Sequence, residues 1–390
     1  MRVAKKFTVG LLAGEASGDN LGEGLMRSLS QQIPAEYDVE FVGIGGEKMI
    51  AAGLNSLFSI NELSVNGFKE PILKLPSLFR LLRDIGDEML KREVDVFIGI
   101  DFNVFNFLLE GRLKKHGLLT AHYVSPSVYA WRRGRTKRVA KVADMVFCLY
   151  PFEPKFYADT AVEPVFVGHP LANEIDPERS SEAARQQARA ELKVDVDKTV
   201  IAVLPGSRGS EIDLMLPPFI GAMERLRHHF GDIEFLIPYP TERLKAKLAP
   251  VLDLDFPVRL VSGGARQVLQ AADGAMVKSG TSTLEAMLLR RPMVVSYRLG
   301  TLSYKLAMLL VRTPYVALPN ILLGRAQVPE LLQEEGTPEA LAAALIAEME
   351  ASRSRSDYFS DFDAMHDELR RDANATAAQA VLRLAGIRDL

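Results

Sequence analysis

Five short segments carry residue types from which a reaction could be assembled, and most of them close an apolar run. Gly99-Ile100-Asp101-Phe102-Asn103 ends the run 94–100 with a carboxylate. An acid emerging from an apolar strand can have its pKa raised by burial and serve as a general base. Asp is equally good at capping a helix, so residue type alone leaves both roles open for Asp101. Leu204-Pro205-Gly206-Ser207-Arg208-Gly209-Ser210-Glu211 lies between a strand-like run and a long amphipathic stretch. There Gly206 and Ser207 can offer backbone N–H groups at a helix start and Arg208 a fork of donors, which suits a phosphate or diphosphate. Arg208 could instead pair with Glu211 on the first helical turn.

Lys278-Ser279-Gly280-Thr281-Ser282-Thr283-Leu284-Glu285 repeats that design. Ser279, Gly280 and Thr281 sit where another helix begins. One turn in, Glu285 can accept from both hydroxyls of a ribose or act as a capping partner of a nearby Ser or Thr. Gly14-Glu15-Ala16-Ser17-Gly18-Asp19 follows the first apolar run. Its small residues Gly14, Ser17 and Gly18 permit a sharp turn and close approach of a ligand. Glu15 stands beside them, and Asp19 is positioned to cap the following helix. The same residues also make an ordinary tight strand-to-helix turn. The fifth segment, Tyr123-Val124-Ser125-Pro126-Ser127-Val128-Tyr129-Ala130-Trp131-Arg132, leads into Arg133, Arg135, Lys137 and Arg138. Ser125 and Ser127 mark a strand exit. Trp131, Arg132 and the cations behind them can line a site for a phosphorylated ligand or meet anionic lipid; a solvated basic helix face accounts for most of these cations as well.

Other chemistry is missing from the pattern. The triplets Asp195-Val196-Asp197, Asp253-Leu254-Asp255 and Asp361-Phe362-Asp363 lie in polar connectors or the tail, and the six histidines have no zinc spacing, so no metal site is expected. His122 and His169 fall at strand ends, where structural hydrogen bonds are expected. Neither a nucleophile-elbow serine nor a phosphate-loop lysine motif occurs. The single Cys148, within Met145-Val146-Phe147-Cys148-Leu149-Tyr150, reads as a buried strand residue and suits a reducing, cytoplasmic compartment. With 47 basic and 50 acidic residues the chain has no surplus of positive charge for nucleic acid.

The elements that must position these segments alternate regularly. Runs at 7–13, 39–44, 94–100, 118–125, 145–150 and 164–168 read as buried strands, with helices at 21–31, 76–92, 105–116 and 128–142. Their Val, Ile and Phe content without strict alternation predicts a parallel sheet covered on both faces. The pattern pauses near 169–180. A second series follows, with strands at 199–204, 233–238, 258–262, 274–277, 292–297 and 315–318 and helices at 211–230, 241–252, 265–271 and 281–289. The tail reads as helices only. The prediction is an α/β chain of two doubly wound Rossmann-like lobes facing across a cleft. It divides into a first lobe over 1–172, a second over 173–350, and a helical tail over 351–390 that packs back on the first.

One stretch points to lipid. Val65, Phe68, Ile72, Leu73, Leu75 and Phe79 are interspersed with Lys69, Lys74, Arg80 and Arg83, a mixture that can enter an anionic interface. Leu78, Leu81 and Leu82 fit a helix packing on its own core. The apolar stretch 302–323 is interrupted by Lys305, Arg312, Pro314 and Pro319, which excludes a spanning helix there, so any membrane contact is peripheral.

Assembled in this order, these motifs resemble the lipid-A-disaccharide synthase family. The likeness runs over nearly the whole chain. It includes Ser279-Gly280-Thr281, Pro292-Met293-Val294-Val295, Leu318-Pro319-Asn320-Ile321-Leu322 and Val328-Pro329-Glu330-Leu331-Leu332-Gln333. The resemblance implies a GT-B glycosyltransferase that inverts the anomeric centre without metal or cofactor. It would join UDP-2,3-diacylglucosamine to 2,3-diacylglucosamine 1-phosphate (lipid X), giving the β-1,6 disaccharide 1-phosphate and UDP. It also implies peripheral work on the anionic phospholipid of the cytoplasmic face of the inner membrane, and it is compatible with a homodimer. By position it tips Asp101 towards general base and gives Arg208 a diphosphate or acceptor-phosphate role. It sets Gly206, Ser207, Ser279, Gly280, Thr281 and Glu285 around UDP, with Asn320 nearby.

Three departures from the family pattern stand out. The family commonly reads D-x-P-D-F-N where this chain has Asp101-Phe102-Asn103-Val104-Phe105-Asn106, so a second acid is absent. Tyr129 stands in place of tryptophan, and Lys278 in place of a small residue. A hydrolysing UDP-N-acetylglucosamine 2-epimerase shares the architecture but has no use for the apolar 65–82 stretch. A binding module that has lost catalysis has no use for an intact Asp101 and Arg208.

Overall fold

The computed structural model describes residues 4–63, 75–126, 134–300 and 313–387. Two parallel sheets organise them. The first holds β1 (Lys5–Ala13), β2 (Tyr37–Ile44), β3 (Leu54–Ser56), β4 (Val96–Ile100), β5 (Leu119–Tyr123), β6 (Met145–Cys148) and β7 (Glu163–Phe166), in the order β3-β2-β1-β4-β5-β6-β7. The second holds β8 (Thr199–Leu204), β9 (Ile233–Tyr239), β10 (Val258–Ser262), β11 (Gly274–Lys278), β12 (Met293–Tyr297) and β13 (Glu330–Leu332), in the order β10-β9-β8-β11-β12-β13.

The central strands are apolar throughout because both faces are covered. Successive side chains of a strand point to opposite faces, so Leu11 and Ile98 belong to one core while their neighbours Leu12 and Phe97 belong to another. On one side Leu25, Met26 and Leu29 of the helix Ala16–Gln32 meet Ala377 and Val381 of the C-terminal helix Ala373–Leu384. On the other, Leu81, Ile85 and Met89 of Leu75–Lys91 join Phe105, Leu109 and Leu113 of Asn103–Lys115. In the second sheet Phe219, Met223 and Leu226 of Gly209–Phe230 and Leu341, Leu345 and Met349 of Pro338–Ser354 cover Ile201, Val203 and Phe235. Each fully buried aliphatic or aromatic side chain contributes about 1.5–3 kcal/mol.

The chain forms two compact units, Met1–Pro170 with Leu369–Leu390, and Leu171–Glu368. The tail expected to pack back on the first lobe is therefore divided: Ala373–Leu384 completes the core of the first unit, while its residues up to Glu368 belong to the second. Strand order reverses between β1 and β4 in the first unit and between β8 and β11 in the second. At such a switch point two adjacent strand-to-helix loops diverge and leave a crevice at the strands' carboxyl ends.

Two of the predicted elements take a different form near the strand ends. Residues 315–318 are not a strand; the Val316 and Ala317 N–H groups donate to the two carboxylate oxygens of Glu330, and Leu318 opens a short helix, Leu318–Leu323. The edge of that sheet is β13 instead. Helix Ala16–Gln32 starts five residues before the apolar periodicity begins at Leu21, because the small Gly14–Gly18 stretch is already turning.

Candidate active site

In the first unit the Gly14 loop follows β1 and the Asp101 loop follows β4, whose ends are paired at Ala13 and Ile100. The two loops therefore flank the switch point. Asp101 and Phe102 are consecutive non-glycine residues with positive φ, 49° and 45°. Left-handed backbone costs roughly 1–2 kcal/mol per L-residue, and such outliers gather at functional sites. The Phe102 ring lies against Gly14, and the Asp101 N–H donates to the Tyr123 carbonyl at 2.8 Å. Beneath them the buried Asn106 amide donates to the carbonyls of Leu12, Ile100 and Asp101, at 3.3, 3.3 and 2.8 Å. Asp101 does not cap the helix: the cap residue is Phe102, and no side chain closes that helix start. The Asp101 carboxylate accepts from Asn103 Nδ2 at 3.3 Å and is half-buried at the sheet's edge.

Other expected ligand residues are placed variously. Glu15, the cap residue of Ala16–Gln32, and Ser17 on its first turn are exposed beside the buried Gly18. Asp19 is turned away, accepting from the N–H groups of Gly46, Lys48 and Met49 at 2.8–3.1 Å; it fixes the next helical turn and not its own helix. Ser125 is buried, its hydroxyl 2.8 Å from Tyr157 Oη. Ser127, Trp131 and Arg132 lie outside the described residues, as do Val65, Phe68, Ile72 and Leu73 and the side chain of Leu75. Of the predicted lipid-facing residues Phe79 is described; it is 59% exposed beside exposed Arg80 and Arg83. Leu81 is buried in the core, with Leu78 and Leu82 partly buried against it. Among the described residues no helix is long and apolar enough to cross a membrane.

Sequence reasoning passed over Glu153, which packs behind Ser125. Burial pushes its carboxyl up to about 8 against the hydrogen bonds it receives from Tyr150, Leu149 and Ser125, while burial drives His169 down to about 4. Folding therefore retains a proton on Glu153 that the unfolded chain releases near its ordinary 4.5, so stability falls as pH rises from there towards 8. His169 acts oppositely, with stability lost as pH falls from 6.5 towards 4. Between pH 6.5 and 8 Glu153 acts alone of the two, at a limiting slope of about 1.4 kcal/mol per pH unit. Urea midpoints should drop over that interval in the wild type and drop less in Glu153→Gln. Equal slopes in the two proteins would mean Glu153 is not the group responsible.

In the second unit the Gly206 loop follows β8 and the Gly280 loop follows β11, again on either side of the switch point. Gly206 has φ +133°, a conformation L side chains rarely adopt, and a Cβ there would meet Glu211 at 2.7 Å. That bend folds the loop over Glu211, whose Oε2 accepts from the N–H groups of Ser207 at 3.0 Å and Arg208 at 3.2 Å. Its Oε1 accepts from Lys278 Nζ at 3.0 Å. Burial raises the Glu211 carboxyl, but Lys278 and the two N–H groups outweigh it and hold it below the ordinary range. Of the two loop amides expected to cradle phosphate, that of Ser207 is thus occupied by a carboxylate, together with that of Arg208, and Arg208 does not pair with Glu211 through its side chain. Its guanidinium is exposed and makes no ion pair with the described residues.

Gly280 and Thr281 are exposed at the start of Thr281–Leu288, where no side chain caps the helix. Glu285, one turn in, is largely buried; burial lifts its carboxyl against the pull of Arg266, 3.8 Å away. Ser279 donates its hydroxyl to the Val316 carbonyl at 2.8 Å. Asn320 is buried with both ends of its amide filled: Nδ2 donates to Val328 O and Glu330, and Oδ1 accepts from Gln327 and Val328. These two side chains serve the fold, fastening residues 316–330 beside β12.

Known proteins resemble this chain over nearly its whole length. Residues 9–381 match the family model described as lipid-A-disaccharide synthetase. A lipid-A-disaccharide synthase from Azotobacter vinelandii is 45% identical over 387 residues, 98% of this chain and 99% of that one. One from Methylobacillus flagellatus is 42% identical over 379 residues, 96% and 98% of the two chains. A solved structure of a putative UDP-N-acetylglucosamine 2-epimerase from Listeria monocytogenes superposes with a TM-score of 0.63 at 11% identity, covering 97% of this chain and 95% of that one. The last likeness concerns the fold alone, two doubly wound units in succession, the GT-B arrangement.

Proposed function

This chain belongs to the lipid-A-disaccharide synthetase family, and from that premise we propose how its residues divide the work of lipid A disaccharide synthesis by glycosyl transfer. The second unit holds UDP-2,3-diacylglucosamine. Arg208 and the open helix start at Thr281 receive the diphosphate, and the carboxyl of Glu285 accepts from the ribose hydroxyls. The first unit receives 2,3-diacylglucosamine 1-phosphate at Glu15, Ser17 and the Asp101 loop. Asp101 takes the proton of the acceptor hydroxyl as that oxygen bonds to the donor's anomeric carbon. The bond from that carbon to the diphosphate breaks, UDP leaves with the electron pair, and the configuration inverts. One carboxylate suffices for a single displacement; retention would need a nucleophile as well. The observation that carries this reading is the placing of all four loops at the two switch points, with Asp101 half-buried at the first and Arg208 exposed and, among the described residues, without an ion pair at the second.

Phe79, Arg80 and Arg83, exposed together near the start of the helix Leu75–Lys91, support peripheral contact with anionic phospholipid on the cytoplasmic face of the membrane. Mass spectrometry of products from diacylated donor and acceptor in anionic vesicles tests the whole reading. The expected product is the tetraacylated disaccharide 1-phosphate plus UDP, with the enzyme co-sedimenting with anionic and not zwitterionic vesicles. Conversion of UDP-N-acetylglucosamine to its C2 epimer, with no disaccharide, would sink it.

A further inference from the structure

We propose that Glu110, His122 and Asn103 form a hydrogen-bonded file that fixes the Asp101 carboxylate in its working position. The proposal rests on Asp101 being the base. Asn103, Asn106 and Glu110 recur at the spacing of one helical face, and on Asn103–Lys115 that face turns to the ends of β4 and β5. Glu110 and His122 are fully buried. Glu110 Oε1 lies 2.7 Å from His122 Nδ1, His122 Nε2 lies 3.2 Å from Asn103 Oδ1, and Asn103 Nδ2 lies 3.3 Å from Asp101 Oδ1.

The hydrogens in this file have one consistent direction. An ionised carboxylate only accepts, so Asp101 selects the NH2 end of the Asn103 amide. The amide oxygen then faces His122, and Nε2 must carry the hydrogen. Burial pushes the Glu110 carboxyl up, against the opposing pull of His122. A protonated Glu110 donating to Nδ1 and an imidazolium facing a carboxylate both leave Nε2–H in place. A Glu110 that donates to Nδ1 thus supports the Nε2–H tautomer that the amide orientation selected by Asp101 requires, much as an orienting acid sets a histidine's tautomer.

Two further observations make this more than incidental packing. Burying an acid and a histidine is no route to stability, since apolar residues of similar volume commonly do as well or better; room for Glu110 is left by Gly99, where any Cβ would collide with it. The same helical face also holds the strained backbone of Asp101 and Phe102 through Asn106. The pattern resembled by this chain has proline at the place of Asn103, and proline has no side-chain amide to relay anything.

The test compares Asn103→Ala, Glu110→Leu, Glu110→Gln and Asp101→Asn in the full-length protein, measuring kcat, KM for both substrates and the melting temperature. Asn103→Ala should lower kcat roughly 10- to 100-fold, the worth of one hydrogen bond to a charged group, with both KM values within about twofold. Glu110→Leu should lose a similar factor, and Glu110→Gln, whose amide can still donate to Nδ1, should recover most of it. A role in folding alone would move the melting temperature and leave kcat per folded molecule unchanged, which overturns the proposal. So would an Asn103→Ala that keeps wild-type kcat, or raises KM at constant kcat, while Asp101→Asn is inactive; the base would then stand without the file. Activity in Asp101→Asn would remove the base and the file together. Should Glu110→Leu fail to fold, the half-buried Asn103 decides the outcome by itself.

Discussion

Replacing Asp101 by asparagine should reduce kcat by about a thousandfold and leave UDP affinity and melting temperature unchanged. The magnitude follows from general base catalysis, which typically contributes 10²–10⁴. Asparagine is the informative substitution because of the backbone. Residue 101 has φ +49°, a region that Asp and Asn tolerate better than other non-glycine residues. Asparagine therefore keeps the turn, and its oxygen can still accept from Asn103 Nδ2. Only the capacity to take a proton is lost. Alanine removes the base too, but it also raises the cost of the turn, so Asp101→Ala combines two effects. More than a tenth of wild-type kcat in Asp101→Asn would exclude Asp101 as the base.

Much of this site was legible in the sequence because a parallel sheet makes it so. Once 7–13, 94–100, 199–204 and 274–277 read as buried strands, the glycine-bearing segments behind them had to be strand-exit loops, and strand exits are where such folds bind ligands. The relation between the loops was not legible. That Gly14 and Asp101 are neighbours depends on β1 pairing with β4, a long-range choice that local pattern does not encode. β3 and β13 escaped because three residues at a sheet edge carry no periodicity. The run 315–318 misled because Val316 and Ala317 are apolar, while the partner of their N–H groups, Glu330, lies about a dozen residues downstream.

Among the side chains, polar residue type did not reveal which way a group points. Asp19, Ser125, Ser279 and Asn320 have the chemistry of ligand residues, and the fold spends it internally. The converse signal was present and overlooked. Asn103, Asn106 and Glu110 fall at helical spacing on the face that should be apolar. Polar groups on a buried face must be satisfied by one another, so that spacing is itself a sign of a network.

The second large effect belongs to Arg208, and it follows from how the neighbouring charges are used. A diphosphate approaching the Gly206 loop finds the amides of Ser207 and Arg208 already donating to Glu211. It does not meet a free lysine either, since Lys278 is paired with the same carboxylate. Arg208 is the cation of this loop whose charge the described residues leave uncompensated. Arg208→Ala should therefore lower kcat/KM by about 10²–10³, the range seen when one preorganised donor to developing charge is removed. Arg208→Lys should restore only part, because a point charge cannot reproduce a two-pronged contact. Lys278→Met has a different signature. It exposes the ligand to the unneutralised charge of Glu211, so UDP affinity should fall about tenfold and recover in Lys278→Met with Glu211→Gln. Like-charge repulsion of this kind is relieved by removing either member of the offending pair, whereas a lost direct contact is not. Isothermal titration with UDP across the four combinations distinguishes them. Arg208→Ala with unchanged kcat/KM, or a Lys278→Met defect that Glu211→Gln fails to repair, would assign the diphosphate to other residues.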